Sequence, residues 1–98
     1  MNQITQTQTD IACVCDEIRN LLLEKNRKYG DSALNPVRIF SKASILEQLK
    51  IRMDDKLSRL RNAADDEDED PTTDLIGYLI LYKVALRQQR RVVDYEAP

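Results

Sequence analysis

Residues 44–60 read SILEQLKIRMDDKLSRL, and the spacing within them decides the fold. Leu46, Leu49, Met53, Leu57 and Leu60, continued by Ala64, recur every three or four positions and so draw one apolar stripe along a helix of roughly five turns. Ser44 stands before the stripe as its N-cap, with a hydroxyl placed to accept from a backbone N–H of the first turn.

Working upstream, Ile11, Val14, Cys15, Ile18, Leu21 and Leu22 share one helical face, which predicts an amphipathic helix from about Asp10, as N-cap, to about Lys28. YGDSALNP, residues 29–36, breaks that helix with a glycine, an Asp-Ser and an Asn-Pro. Val37, Phe40 and Ala43 regain helical spacing and predict a short helical turn after Pro36. Downstream, the acidic run DDEDED at 65–70 repels itself and reads as a solvated hairpin loop. Asp70 then serves as an N-cap, Pro71 takes the first helical position, and Asp74 sits in the first turn where the helix dipole favours a carboxylate.

The last helix should run from about Pro71 to about Arg90. Its apolar residues, Leu75, Ile76, Tyr78, Leu79, Ile80, Leu81, Tyr82, Val84, Ala85 and Leu86, surround nearly the whole circumference. A small bundle cannot bury all of them, so self-association through residues 75–86 is expected. Gly77 inside this helix costs about 1 kcal/mol relative to alanine and implies close approach by another helix or a ligand. No segment alternates with the period of two that a strand requires. The expected fold is all-α: one domain, residues 1–98, forming a small antiparallel bundle of three main helices and a short helical turn, completed by oligomerisation. Residues 1–9 and 91–98 read as tails.

Composition narrows the function. Fifteen basic residues against 17 acidic ones leave a net charge of −2, which gives no general attraction to nucleic acid or to a membrane surface. Met1 is followed by a polar run and no apolar stretch approaches the roughly 18 residues a bilayer span needs, so a cytoplasmic protein is expected. Cys13 and Cys15, with no histidine in the chain, are too few for a zinc site and read as small apolar residues in a reducing compartment. The absence of histidine removes a Ser-His or Cys-His base, and two glycines cannot build a phosphate loop. A sequence-specific reader of nucleic acid would need a basic face, for which Arg90 and Arg91 are too little.

What remains is a local concentration of cations. Arg52, Lys56 and Arg59 fall along one flank of the middle helix, Asp55 points more nearly away from the core and Asp54 lies on the opposite flank; Lys25 and Lys28 crowd the approach to Tyr29-Gly30. Such a set can meet phosphate oxygens while a tyrosine stacks on a base. The plainer reading makes the same residues a solvated helix edge of ion pairs, as expected where 33% of the residues are charged.

EKNRKYGDS at residues 24–32, RMDDKLSRL at 52–60 and DPTTDLIGYLIL at 70–81 together resemble the nucleotide-modification-associated domain family of phages and prophages, over about residues 17–86. The specific parts are Lys28-Tyr29-Gly30-Asp31, Asp55-Lys56-x-x-Arg59 and Asp74-Leu75-x-x-Tyr78. The resemblance implies a phage-type nucleotide-handling protein, in the host cytoplasm if virus-encoded. It would bind or sequester a nucleotide or phosphorylated metabolite through Lys25, Lys28, Tyr29, Gly30, Arg52, Asp55, Lys56, Arg59, Asp74 and Tyr78, without a cofactor. There is also a weaker similarity to the all-α nucleoside triphosphate pyrophosphohydrolases of the MazG type, which hold magnesium on paired carboxylates. On that alternative Asp54, Asp55, Asp70 and Asp74 would ligate Mg2+, but Arg52 and Ser58 flank Asp55 at three residues, and Pro71 stands three before Asp74, where the family places acids. The broken pairs favour binding over hydrolysis. A helical protein-interaction module is the further alternative.

Overall fold

The computed structural model of the chain describes the backbone of residues 3–62 and 70–96 and the side chains of residues 3–62 and 70–91. The first helix, α1, runs Gln6–Tyr29. Its cap is Thr5, not Asp10. The Thr5 hydroxyl accepts from the Gln8 backbone N–H at 3.1 Å, and the Gln8 side-chain oxygen accepts from the Thr5 N–H at 2.9 Å. This capping box satisfies two backbone donors where a lone Asp10 would satisfy one, so the helix starts earlier and takes in residues 6–9, which the sequence reading assigns to a tail. Asp10 lies inside it and accepts from Gln6 Nε2 at 2.9 Å.

At the other end of α1, Gly30 adopts a left-handed backbone (φ 63°, ψ 43°) and its N–H donates to the Asn26 carbonyl. Asp31 follows, also left-handed at φ 61°. The Leu34 and Asn35 N–H groups both donate to the Asp31 carbonyl, at 3.2 and 3.0 Å, and the Asn35 side-chain amide donates to the Asp31 carboxylate at 2.6 Å. The helical turn expected after Pro36 therefore forms before it. Asp31 offers two acceptors to organise a turn, whereas Pro36 removes a donor and pushes Asn35 away from helical backbone. Residues 36–44 contain no helix, and Val37, Ile39 and Phe40 are exposed.

Ser44 caps α2, Ile45–Arg61, as its position predicts: the Glu47 N–H donates to its hydroxyl at 3.1 Å and the Gln48 N–H to its carbonyl at 2.9 Å. Asp70 likewise starts α3, Pro71–Glu96. Its carboxylate accepts from the Thr73 N–H at 3.1 Å and from the Thr73 hydroxyl at 2.5 Å, while its carbonyl accepts from the Asp74 N–H at 3.0 Å. The helix continues past Arg90, through most of the expected C-terminal tail. Residues 65–69 of the expected acidic loop lie outside the described residues.

Pairs between α2 and α3 run in opposite order along the two chains: Lys56 with Asp74, Arg52 with Tyr78, Lys50 with Tyr82. The two helices are thus antiparallel. Leu34, Leu49 and Ala85 form the buried centre, with Ile45, Leu46, Met53, Tyr78, Leu81, Tyr82 and Val84 packed around it. Gly77 and Ala85, the buried positions among the described side chains of α3, stand eight residues apart on one side of the helix. The apolar stripe of α2 is only partly used, because Leu57 and Leu60 are exposed while Lys56 turns inward to 13% side-chain exposure. Opposite that end α3 presents Asp74 rather than an apolar side chain, so the inward position takes a cation.

The fold is all-α, and contacts divide the chain into two compact units, Met1–Gly30 and Asp31–Pro98. Among the described residues no helix is long and apolar enough to cross a membrane.

Candidate functional site

The residues named from sequence fall into both units. Lys25, Lys28, Tyr29 and Gly30 close α1. All four are exposed, and the Lys28 ammonium lies over the Tyr29 ring at 5.4 Å from its centroid. Glu24 binds Arg27 beside them through two hydrogen bonds. This end is a solvated cationic patch that also suits the negative end of the helix dipole.

Arg52, Asp55, Lys56, Arg59, Asp74 and Tyr78 gather on one side of the α2–α3 hairpin, around Lys56. Its ammonium lies 3.4 Å from the Asp74 carboxylate, itself 22% exposed, and 4.0 Å from that of Asp55. Asp55 also accepts from Arg59 Nε at 3.2 Å, one turn away. One turn earlier, the Arg52 guanidinium stands over the Tyr78 ring at 6.0 Å. The two aspartates bracket Lys56 and fix its direction; Arg52 and Arg59 stand at the rim, where water reaches them.

A second cation–aromatic contact across the hairpin, Lys50 with Tyr82, was not among the sequence candidates; the ammonium lies 6.0 Å from the ring centroid, and Lys50, two residues before Arg52, is on the other flank of α2. Tyr78 and Tyr82, four residues apart, signal a single aromatic edge in the sequence. A hydrogen bond from Lys50 to Glu47 at 3.3 Å, and then the neighbouring Tyr82, raise the Lys50 pKa above its ordinary value.

The four carboxylates of the magnesium alternative do not come together. Asp70 is engaged in capping α3, Asp55 and Asp74 hold Lys56, and Asp54 lies on another side of α2, where it lines a shallow open hollow with Leu57, Ser58 and Arg61. Among the described residues no three His, Cys, Asp or Glu side chains are grouped to hold a metal ion. That hollow is walled by side chains of one helix, and none of the ten predicted binding residues lines it. Cys13 and Cys15 are both exposed thiols, although Cys15 lies on the predicted apolar stripe of α1.

Comparison with protein families, with curated proteins and with solved structures finds no match for this chain.

Proposed function

We propose that the protein binds a phosphorylated small molecule of the nucleotide class along the α2–α3 hairpin, without hydrolysing it. One observation carries this reading: six residues chosen for their chemistry come onto one side of two helices, centred on a mostly buried lysine locked by two carboxylates. In this arrangement Arg52 and Arg59 meet phosphate oxygens from the rim, Tyr78 supplies a flat surface for a base, and Lys56 adds positive potential while Asp55 and Asp74 hold it in place. The same segments carry the resemblance to the phage nucleotide-modification-associated domains, and on this reading the protein works in the cytoplasm, that of the host if it is virus-encoded. Binding is favoured over magnesium-dependent hydrolysis because an ammonium occupies the space between Asp55 and Asp74 that a divalent cation would need.

The test has two arms. Mass spectrometry of small molecules released from heat-denatured protein identifies a retained ligand, and calorimetric titration against nucleoside mono-, di- and triphosphates measures affinity. Replacing Arg52 and Arg59 with glutamine should weaken binding by about one to two decades per lost charged hydrogen bond. It should leave the melting temperature nearly unchanged, since exposed ion pairs contribute only about 0–1 kcal/mol. No released ligand together with no heat from any nucleotide would sink the proposal.

A second reading, an assembly module, is favoured by Ile76, Leu79, Ile80 and Leu86, which remain exposed on α3 after α2 has covered its other side.

A further inference from the structure

We propose that the outer side of α3 docks on the phosphate backbone of duplex DNA, without regard to base sequence. Lys83, Arg87 and Arg90 stand four and three residues apart, so they share the side of the helix turned away from the buried Ala85, and Arg91 lies beside them. All four are exposed. The cations of α2 lean on acids, Lys50 on Glu47, Lys56 on Asp74 and Arg59 on Asp55. These four do not. Among the described residues none of them forms an ion pair, and the sequence holds no carboxylate from Leu75 to Val93. The stability of α3 does not account for the stripe. Lys83 with Arg87, and Arg87 with Arg91, are like charges one turn apart, which weakens a helix. The helix dipole favours cations in the last turn, and that turn of α3 contains none.

Spacing and surroundings select the partner. From Lys83 to Arg91 the helix rises about 12 Å. One strand of a DNA duplex presents a phosphate every ~3.4 Å of axis, so this length meets about three or four phosphates. Each guanidinium can fork onto two phosphate oxygens. Proteins that hold single strands add aromatic rings on which bases stack, but Tyr78 and Tyr82 of α3 lie beside Arg52 and Lys50 of α2, on the inner side. A helix that lies on a lipid surface keeps its apolar and charged faces apart, whereas these cations share the exposed side with Leu79 and Leu86. Base edges are not read, because four cations on one stripe supply backbone contacts alone. The acidic run does not cancel the stripe. Its last member, Asp70, is 13 residues and so about 20 Å of helix from Lys83, twice the screening length of about 10 Å in 0.1 M salt.

Fluorescence anisotropy of a labelled DNA duplex, titrated with the full chain at salt concentrations of about 0.05–0.2 M, tests this contact. The logarithm of the association constant should fall against the logarithm of salt concentration with a slope of about −3 to −4, the same for two unrelated base sequences. Lys83→Gln combined with Arg87→Gln should make that slope shallower by about two, with helicity retained by circular dichroism. Arg38→Gln combined with Lys42→Gln, which removes two exposed cations before α2, should leave it unchanged. No binding across this salt range, a slope untouched by the α3 pair, or an equal loss from the pair at 38 and 42 would each overturn the proposal. So would tighter binding to the separated single strands, or binding to vesicles of anionic phospholipid but not to DNA, which would hand the stripe to a lipid surface.

Discussion

Asp70 shows how much one side chain can control. The Thr73 hydroxyl first, and then the Thr73 backbone N–H, bind its charged form and hold its pKa below the ordinary aspartate value. A depressed folded-state value means that the carboxylate stabilises the fold above the unfolded pKa and loses that contribution as pH falls through the folded one. Asp70→Ala should therefore melt below the parent at neutral pH, with the gap closing below about pH 4, as circular dichroism melts across that range would record. A gap that persisted in acid would mean that the cap does not act through its charge. The cap at Ser44 was legible because it directly precedes its apolar run, and that at Asp70 because Pro71 follows it at the first helical position. Thr5 was equally legible from Thr-x-x-Gln, but Asp10 stands nearer the first apolar residue and draws the eye. Lys56 was harder: its spacing places it beside Arg52 and Arg59, yet they are rim residues and it is a mostly buried one, a difference set by Asp74 on another helix.

At the scale of elements, α2 carries the packing of the hairpin. Leu49 is 1% exposed and touches the centre that Leu34 and Ala85 complete, so Leu49→Ala should cost about 2–5 kcal/mol. Thermal melting should register this as a large drop, since each kcal/mol moves a domain of this size by about 4–8 °C. Leu57→Ala, at an exposed position of the same apparent stripe, should change little; comparable losses at both positions would mean that the stripe faces a covering surface throughout. Periodicity in the sequence identifies α2 as amphipathic but leaves its rotation open. A helix with Leu57 and Leu60 on one flank and Lys56 on the next can turn either inward, and the choice belongs to what α3 presents. The segment after Pro36 departs from the helix its spacing suggests for a related reason: Val37, Phe40 and Ala43 have helical spacing, but Val37 and Phe40 stay exposed and no cap starts a helix there.

At the scale of the molecule, more large apolar side chains are exposed than buried among the described residues. Ile76, Leu79, Ile80 and Leu86 on α3, and Val37, Ile39 and Phe40 before α2, are all exposed. The sequence already showed this surplus, because α3 has apolar residues on every side and α2 can cover only one of them. If assembly uses the outer face of α3, Ile80→Glu should shift the protein toward the 11.4 kDa monomer in a light-scattering dilution series without lowering its helicity. A parent that is monomeric at every concentration would remove that role from α3. The candidate site divides in the same way between what spacing reveals and what it does not. The residue types and their order along α2 and α3 were visible, whereas the locking of Lys56 by two carboxylates depends on a register between helices that no local pattern encodes.

The end of α1 distinguishes handedness rather than size. A methyl group on Gly30 would meet nothing within 4 Å, yet the backbone there has φ +63°, which an L-residue adopts at a cost of about 1–2 kcal/mol and a D-residue adopts freely. In a chemically synthesised chain, D-alanine at position 30 would fit both the space and the torsion, and would also narrow the unfolded ensemble. The mirror-image amino acid is therefore the better replacement at this position, while the next residue, Asp31, bears the same left-handed torsion as an ordinary L-residue, held by its bond to Asn35.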